Sequence, residues 1–184
     1  LKIGTMSYNI LAIGAHPDDL EFGCFGTLKK FKDQGKNITL IVMTASDVVH
    51  SQTHQHTRTK EQSILEAKEA AKVIDADLIL LPYQDGQIPF DKGTVHDIER
   101  IIGEKNIDTV FTHWGGDTHQ DHRFVFDSTM VACRPSHEIR GITKNKNWRT
   151  EKNKNWRGVE KIFCYEIPSS TNCPSECCSR IIKR

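Results

Sequence analysis

Long hydrophobic runs, an excess of charge of one sign and a leader-like start are all missing from this sequence. No apolar run approaches the ~18–20 residues that a membrane-spanning helix needs. The opening residues, LKIGTMSYN, lack the apolar core of a signal peptide. Lysine and arginine number 25 against 24 aspartates and glutamates, so no basic surface for nucleic acid or anionic lipid is indicated. We therefore expect a cytoplasmic protein with no membrane span and no nucleic-acid partner.

The sequence also lacks a disulfide framework and a phosphate-binding loop. Its six cysteines do not form the well-spaced pairs of a structural zinc site, and a chain with this much ordinary core does not need disulfides. We interpret Cys24, Cys133 and Cys164 as small buried thiols, whereas the other three crowd the C-terminus. The glycines of GCFGTL have the wrong spacing for a dinucleotide site, which argues against nucleotide binding.

What the sequence does contain is an alternation of short apolar runs and longer amphipathic ones. At 184 residues it is long enough for one domain, residues 1–184. The pattern predicts strands at 9–15, 37–46, 78–82 and 108–113, and helices from Gly23 and Gly26 to a C-cap at about Gly35 and at 60–74, 94–105 and 122–133. Such an order is typical of an α/β fold, here a Rossmann-like three-layer sandwich with a mostly parallel central sheet.

Two segments between these elements are predicted to be loops. Residues 47–59 are polar, carry three histidines and predict a long loop. Residues 144–149 and 152–157 repeat the sequence KNKNWR, which we interpret as a solvated insertion, the minority alternative being an Arg/Trp contact to an anionic ligand.

Polar side chains follow the predicted strands where each one ends. His16, Asp18 and Asp19 come after the first strand, the histidine-bearing loop after the second, Asp85 after the third, and residues 113–122 after the fourth. Because the carboxyl ends of parallel strands meet at one edge of a sheet, these groups should converge there.

The turn His16-Pro17-Asp18-Asp19 is suited to holding a metal ion. Adjacent carboxylates beside an imidazole repel each other unless a cation joins them. Two neighbouring side chains on a turn cannot both point at one metal, so we assign Asp19 to the metal with His16 and leave Asp18 to face a water. A third ligand should come from the fourth-strand loop, which offers His113, His119, Asp121 and His122. Three His/Asp ligands with an open position are typical of catalytic zinc.

Each motif alone has a simpler interpretation. HPDD could cap a helix through a carboxylate, and HQDH could be the solvated start of a helix. The two motifs together, at the ends of two strands of one predicted sheet, favour the metal site.

The segments AHPDDLEFGCFGTL, Arg58-x-x-Glu61, PYQDG, HQDHR, VACRPS and CYEIPSST together resemble the LmbE-like family, also called the PIG-L or N-acetylglucosaminyl deacetylase family. The resemblance runs over residues 9–171. It implies zinc, or another divalent metal, bound by His16, Asp19 and His122. It further implies Asp18 as the general base and a protonated His119 that stabilises the transition state.

The resemblance implies further site residues and a substrate class. Asp121 would orient the histidine pair of HQDH, and Arg58 and Asp85 would contact substrate. The implied reaction is hydrolysis of the N-acetyl group of an N-acetylglucosamine-type conjugate, giving acetate and free amino sugar, in a protein that forms homo-oligomers.

The chain departs from the family pattern in two places. Leu20 follows Asp19 where the family usually has glutamate, and Glu21 comes one residue later. Residues 172–184 resemble nothing in the family, so we expect a C-terminal part shorter than that of relatives. Two alternatives stay open: a zinc amidase acting on a larger amide conjugate, and a non-catalytic sugar- or metal-binding remnant.

Overall fold

The computed structural model describes residues 8–45, 48–49, 56–134, 158–167 and 181–183. Five strands run parallel in its main sheet: β1 (Asn9–Gly14), β2 (Asn37–Thr44), β5 (Asp77–Tyr83), β6 (Thr109–His113) and β7 (Lys161–Tyr165). A sixth strand, β8 (Ile181–Lys183), pairs antiparallel with β7 at the edge. The order across the sheet is β5-β2-β1-β6-β7-β8. The predicted α/β fold with a mostly parallel sheet is confirmed.

The described residues between these strands form five helices: α1 (Asp19–Gly23), α2 (Phe25–Asp33), α3 (Lys60–Val73), α4 (Lys92–Lys105) and α5 (Gln120–Ala132). The predicted start of the first helical segment at Gly23 is wrong, because the chain already turns into helix at Asp19, where the Phe22 N–H donates to the Asp18 carbonyl. The predicted C-cap at Gly35 agrees with its positive φ of 77°. Helix α3 begins at a capping box made by Thr59 and Gln62.

The core lies on both faces of the sheet, as the strand period of two requires. Along β1, Leu11 and Ile13 belong to one buried cluster, and Ile10 and Ala12 belong to the other. Helices α4 and α5 contribute to the first cluster, with Ile98 and Val125 among its members, whereas Leu28 and Ala71 place α2 and α3 in the second. Burying each large aliphatic side chain contributes about 1.5–3 kcal/mol, which holds the three layers together.

The strand order reverses beside β1. The chain runs from β1 outward through β2 to β5 and then returns to β6 on the other side of β1. In open parallel sheets the crevice at such a reversal, beyond the carboxyl ends of the strands, is where ligands bind. The turn after β1 and the loop after β6 flank this crevice.

Several sequence-based expectations fall on residues outside the described ranges. These are most of the loop at 47–59, the KNKNWR repeat and the C-terminal cysteines. Within that loop the described residues form two short strands, β3 (Val48–Val49) and β4 (His56–Arg58), which pair antiparallel. Cys24 and Cys133 are buried free thiols as expected, and Cys164 is half-buried. No helix in the described part of the chain is long and apolar enough to cross a membrane.

Candidate metal centre

The turn after β1 separates its two aspartates. Asp18 has a left-handed backbone conformation, with φ of 94°, and its side chain makes no capping hydrogen bond. The Asp18 side chain is 52% exposed, whereas Asp19 is only 3% exposed as a residue. A left-handed aspartate costs of order 1 kcal/mol. The turn is held in place by Thr44, whose backbone N–H and hydroxyl both donate to the Ala15 carbonyl at 3.0 Å.

His16 lies between two sets of partners, one on each ring nitrogen. Its Nδ1 is 3.2 Å from His122 Nε2 and 3.5 Å from the Asp19 carboxylate. Its Nε2 is 3.1 Å from carboxylate oxygens of both Asp85 and Asp121. The ring therefore presents Nδ1 to the other candidate ligands, and the carboxylates at Nε2 orient it, as is usual for metal-binding histidines.

Asp121 is fully buried and contacts His16 rather than the histidine pair that flanks it in sequence. Its Oδ2 accepts the Gly86 N–H at 2.7 Å as well as facing His16, and its Oδ1 accepts the Ile88 N–H at 3.4 Å. The contacts thus differ from the expectation that Asp121 orients His119 and His122. The Asp85–Gly86 turn after β5 is joined to the centre by the same carboxylate.

The carboxylate that orients His122 belongs to Asp117, which sequence reasoning missed. Asp117 Oδ2 is 2.9 Å from His122 Nδ1, and its Oδ1 accepts the His119 N–H at 2.8 Å. Asp117 is 2% exposed. Its only sequence signal was a lone aspartate in the glycine-containing loop just before HQDH. His122 thus has the same arrangement as His16, with one nitrogen facing the ligands and the other facing a carboxylate.

His119 sits at the N-cap of α5 with its ring against the other two histidines. Its Nδ1 accepts the Asp121 N–H at 3.2 Å, and its ring centroid lies 4.8 Å from that of His16 and 4.5 Å from that of His122. A neutral imidazole whose Nδ1 accepts carries its proton on Nε2. The ring can therefore donate a hydrogen bond from Nε2 without being doubly protonated.

Arg58, at the end of β4, lies beside Asp18. Its Nη1 is 3.9 Å from Asp18 Oδ2 and donates to Glu66 at 3.2 Å. Its Nε is buried and has no hydrogen-bond partner among the described residues. The structure therefore brings six of the eight side chains singled out from sequence into mutual contact and places Asp18 and Arg58 together at the edge of this cluster.

The geometry of His16, Asp19 and His122 fits a tetrahedral metal ion. Ligand bonds of about 2.0–2.1 Å at tetrahedral angles put neighbouring ligand atoms about 3.3 Å apart. The two imidazole nitrogens are 3.2 Å apart, and each lies 3.5 Å from a different Asp19 oxygen, His16 from Oδ2 and His122 from Oδ1, so the spacing approaches that of a tetrahedral site. Two overlapping groups, His16 with His119 and His122, and Asp19 with His113 and His122, also bring ligand atoms within 4.8 Å of one another. The His/Asp cluster therefore fits a metal ion.

Burial and charge shift the pKa values of the central groups in the metal-free chain. Burial alone would raise the pKa of Asp19, but hydrogen bonds with His113 and His16 hold it well below its usual range. Burial lowers the pKa of His122, as does the neighbouring His113. For Asp18, burial and the Asp19 charge raise the pKa against the opposing effect of Arg58. Asp19 and His122 thus favour the protonation states of ligands, whereas the raised pKa of Asp18 makes its carboxylate a stronger base once it is deprotonated.

Asp117→Asn should weaken metal binding about 10–100-fold, because the amide no longer supplies the negative charge that fixes the His122 ring. Competition with a chromophoric chelator measures the dissociation constant. Asp97→Asn serves as the matched control, since Asp97 accepts a hydrogen bond from Tyr83 away from the cluster. Equal metal affinity in the two variants would show that Asp117 does not orient His122.

Metal affinity should rise about tenfold per pH unit between pH 7 and 9. Burial alone would lower the pKa of His16, but hydrogen bonds and charge from Asp19 and Asp85 raise it to about 10. A metal ligand must be deprotonated, so binding expels this proton. Protonation of the His16 ring stabilises the metal-free chain. This contribution is complete at pH values below 6.5, the pKa of the unfolded state, and is lost as the pH rises through the folded-state pKa of about 10.

Chelator competition at several pH values measures the slope, and calorimetry of the metal-free chain should show its Tm falling over the same range. His96→Gln, at an exposed position of α4, should keep the slope. A metal affinity independent of pH would rule out a protonated His16 in the metal-free chain.

This chain belongs to the PIG-L family, whose description is GlcNAc-PI de-N-acetylase. The family model matches residues 11–133, which contain both the HPDD turn and the HQDH helix start. The resemblance to this family noted in the sequence is thereby confirmed.

Three particular proteins illustrate the similarity. The uncharacterized deacetylase YaiS of Escherichia coli K12 is 33% identical over 146 residues, 76% of this chain and 75% of that protein. A probable N-acetyl-alpha-D-glucosaminyl L-malate deacetylase 2 of Bacillus cereus is 29% identical over 88% of this chain and 80% of its own length. The structure of an N,N'-diacetylchitobiose deacetylase from Pyrococcus horikoshii matches with a TM-score of 0.65 at 20% identity, covering 87% of this chain and 61% of that one.

Proposed function

We propose that this chain is a zinc-dependent hydrolase that removes the N-acetyl group of an N-acetylglucosamine-type sugar conjugate, releasing acetate and a free amino sugar. The observation that carries the proposal is the pair His16 and His122. Each has a carboxylate on one nitrogen and Asp19 beside the other. The half-exposed Asp18 next to this trio supplies a separate proton acceptor. A fold alone does not decide a reaction, so the proposal depends on these groups.

His16, Asp19 and His122 would hold the metal ion. When bound, zinc supplies Lewis acidity, which activates water and polarises an amide carbonyl. Their donor set, two imidazoles and one carboxylate without cysteine, is typical of catalytic zinc rather than of a closed structural site.

Asp18 is placed to move protons at its carboxylate. Its raised pKa brings it nearer the range of a general base, because a stronger base takes a proton from water more readily. Asp18 would accept that proton as water attacks the acetamide carbon and would return it to the sugar nitrogen as the C–N bond breaks. The sum is water plus amide giving acetate plus amine.

His119 and Arg58 would act on the substrate itself. The Nε2–H of His119 can donate to the oxyanion that develops on the carbonyl oxygen, since its Nδ1 is occupied by a backbone N–H. Arg58 lies beside Asp18, and the half-exposed Asp85 lies beside His16. From these positions both side chains could hydrogen-bond sugar hydroxyls.

The test is acetate release from a panel of conjugates in which N-acetylglucosamine is joined to inositol, to malate, to a lipid or to a glycopeptide. The zinc-loaded chain should hydrolyse at least one member, zinc removal should abolish the reaction, and added zinc should restore it. Bound zinc with no acetate from any member would favour the binding remnant. Hydrolysis of larger acyl groups in preference to acetyl would favour the amidase.

A further inference from the structure

A further histidine, fully buried, lies against the proposed metal ligands. His113 ends β6, is 0% exposed, and has its Nε2 3.2 Å from Asp19 Oδ2. Its ring stacks on His122 with centroids 4.0 Å apart and planes only 7° from parallel. The proposed reaction gives His113 no part, although it touches two of the three ligands.

The same nitrogen of His113 joins three strands. The Ala15 N–H, in the turn after β1, donates to it at 3.0 Å. The hydroxyl of Tyr165, at the end of β7, lies 3.3 Å away and donates to the Ile13 carbonyl at 2.7 Å. Tyr165 comes from a strand beyond the residues that match the family model, yet it reaches the centre.

The Tyr165 ring is fixed from the opposite side by α1. A Cβ on Gly23 would sit 2.2 Å from its Cδ2, a distance that real atoms do not adopt, so the ring fills the space that any other residue at position 23 would need. Tyr165 is 6% exposed. The ring is therefore held in one rotamer, which fixes the position of its hydroxyl.

We propose that His113 and Tyr165 are positioning residues that hold the turn after β1, and through that turn the Asp19 carboxylate, in the geometry required by the metal. The proposal rests on the proposed function, because it requires a metal at His16, Asp19 and His122. Among the described residues Asp19 is the one proposed ligand without a carboxylate partner, so its orientation has to come from hydrogen bonds. The His16 N–H, in the turn after β1, donates to Asp19 Oδ2 at 2.7 Å. His113 holds this turn by accepting the Ala15 N–H, and Tyr165 holds its start by donating to the Ile13 carbonyl.

Direct binding of the metal by His113 is the competing interpretation, since Asp19, His113 and His122 also form a compact group. A ligand nitrogen needs a free lone pair directed at the ion. The lone pair of His113 Nε2 already accepts the Ala15 N–H at 3.0 Å. Its Nδ1 is buried and has no partner among the described residues, and the contact with Asp19 is not made through it. These contacts favour positioning over direct binding.

The experiment compares zinc affinity, by chelator competition, in the full chain and in two variants. His113→Gln should weaken zinc binding about 10–100-fold, as loss of an orienting partner does. Tyr165→Phe removes only the hydroxyl and should weaken it less, by about threefold to tenfold. In the double variant the effects should combine to less than their product, because both residues hold the same turn after β1.

Two control variants lose a comparable hydrogen bond elsewhere in the sheet. Thr112→Val removes the buried hydroxyl that donates to Thr129 beside His113 on β6, and Tyr83→Phe removes the one that donates to Asp97. Both should lower the stability of the chain and leave zinc affinity unchanged. If Thr112→Val weakens zinc binding as much as His113→Gln does, the effect is one of stability and the positioning role is overturned.

Two further outcomes would also overturn the proposal. Zinc affinity in His113→Gln equal to that of the unchanged chain would mean that Asp19 needs no such support. Loss of one imidazole from the zinc X-ray absorption spectrum of that variant would make His113 a ligand. An unchanged chain that takes up no zinc would instead contradict the proposed function itself, and the inference with it.

Discussion

Asp18→Asn should lower kcat for N-acetyl hydrolysis by about 10²–10⁴-fold while the chain keeps its zinc. Asparagine has nearly the shape of aspartate and tolerates the left-handed backbone at this position, so the fold should survive. What is lost is the proton acceptor, since an amide cannot take a proton from water. Asp18 is half exposed and lies 3.9 Å from Arg58, apart from the proposed ligands, so metal binding should not depend on it.

Zinc content and acetate release must be measured on the same samples. Asp33→Asn provides the control, because Asp33 is an exposed carboxylate on α2 whose partner is Lys29, and both quantities should stay unchanged. Undiminished activity in Asp18→Asn would remove Asp18 from the chemistry. Loss of zinc from it would instead make Asp18 a ligand.

His16→Ala should abolish tight zinc binding, with an affinity lower by more than about 10²-fold, and should destabilise the metal-free chain as well. The ring contacts Asp19, Asp85 and Asp121 at 3.1–3.5 Å, and two of these carboxylates are buried. Removing one partner from a buried charged group typically costs about 3–5 kcal/mol. Acetate release should disappear because no metal is held.

Chemical denaturation of the metal-free variant measures the stability loss, and chelator competition measures the affinity. His96→Ala, an exposed histidine on α4, should change neither. A His16→Ala chain that binds zinc as tightly as before would transfer the site to one of the overlapping groups around His122.

The parts of the site carried by local motifs could be predicted from sequence, and the parts that depend on distant packing could not. The spacing within HPDD and HQDH identifies the candidate site residues. The alternation of strands and helices predicts that the two motifs meet at one edge of the sheet. Which carboxylate faces which histidine depends on how two loops fold together, so Asp121 was expected beside its sequence neighbours and lies instead on His16. Asp117 had no motif to mark it, and Tyr165 lay in the segment CYEIPSST, to which no role at the site was assigned.

For the fold, too, the elements with a strong local pattern could be predicted and those set by packing could not. The strands β1, β2, β5 and β6 are continuous β-branched or apolar runs, and each was predicted to within about two residues. The start of α1 was predicted too late, because glycines were taken as the helix signal and the left-handed Asp18 turn was not foreseen. Strand β7 was not predicted as a strand, since KIFCY is short and its place beside β6 is set by pairing alone.

The contacts of the centre join residues that are very far apart along the chain. The separations are 98 residues between Ala15 and His113, 105 between His16 and Asp121, and 152 between Ile13 and Tyr165. Each contact of this kind must overcome the entropy of closing a long loop, and parallel sheets consist largely of such contacts. The centre therefore forms only when these distant segments have packed together, and its contacts with Tyr165 require β7 to lie beside β6. Tight metal binding would therefore indicate that the chain is fully folded.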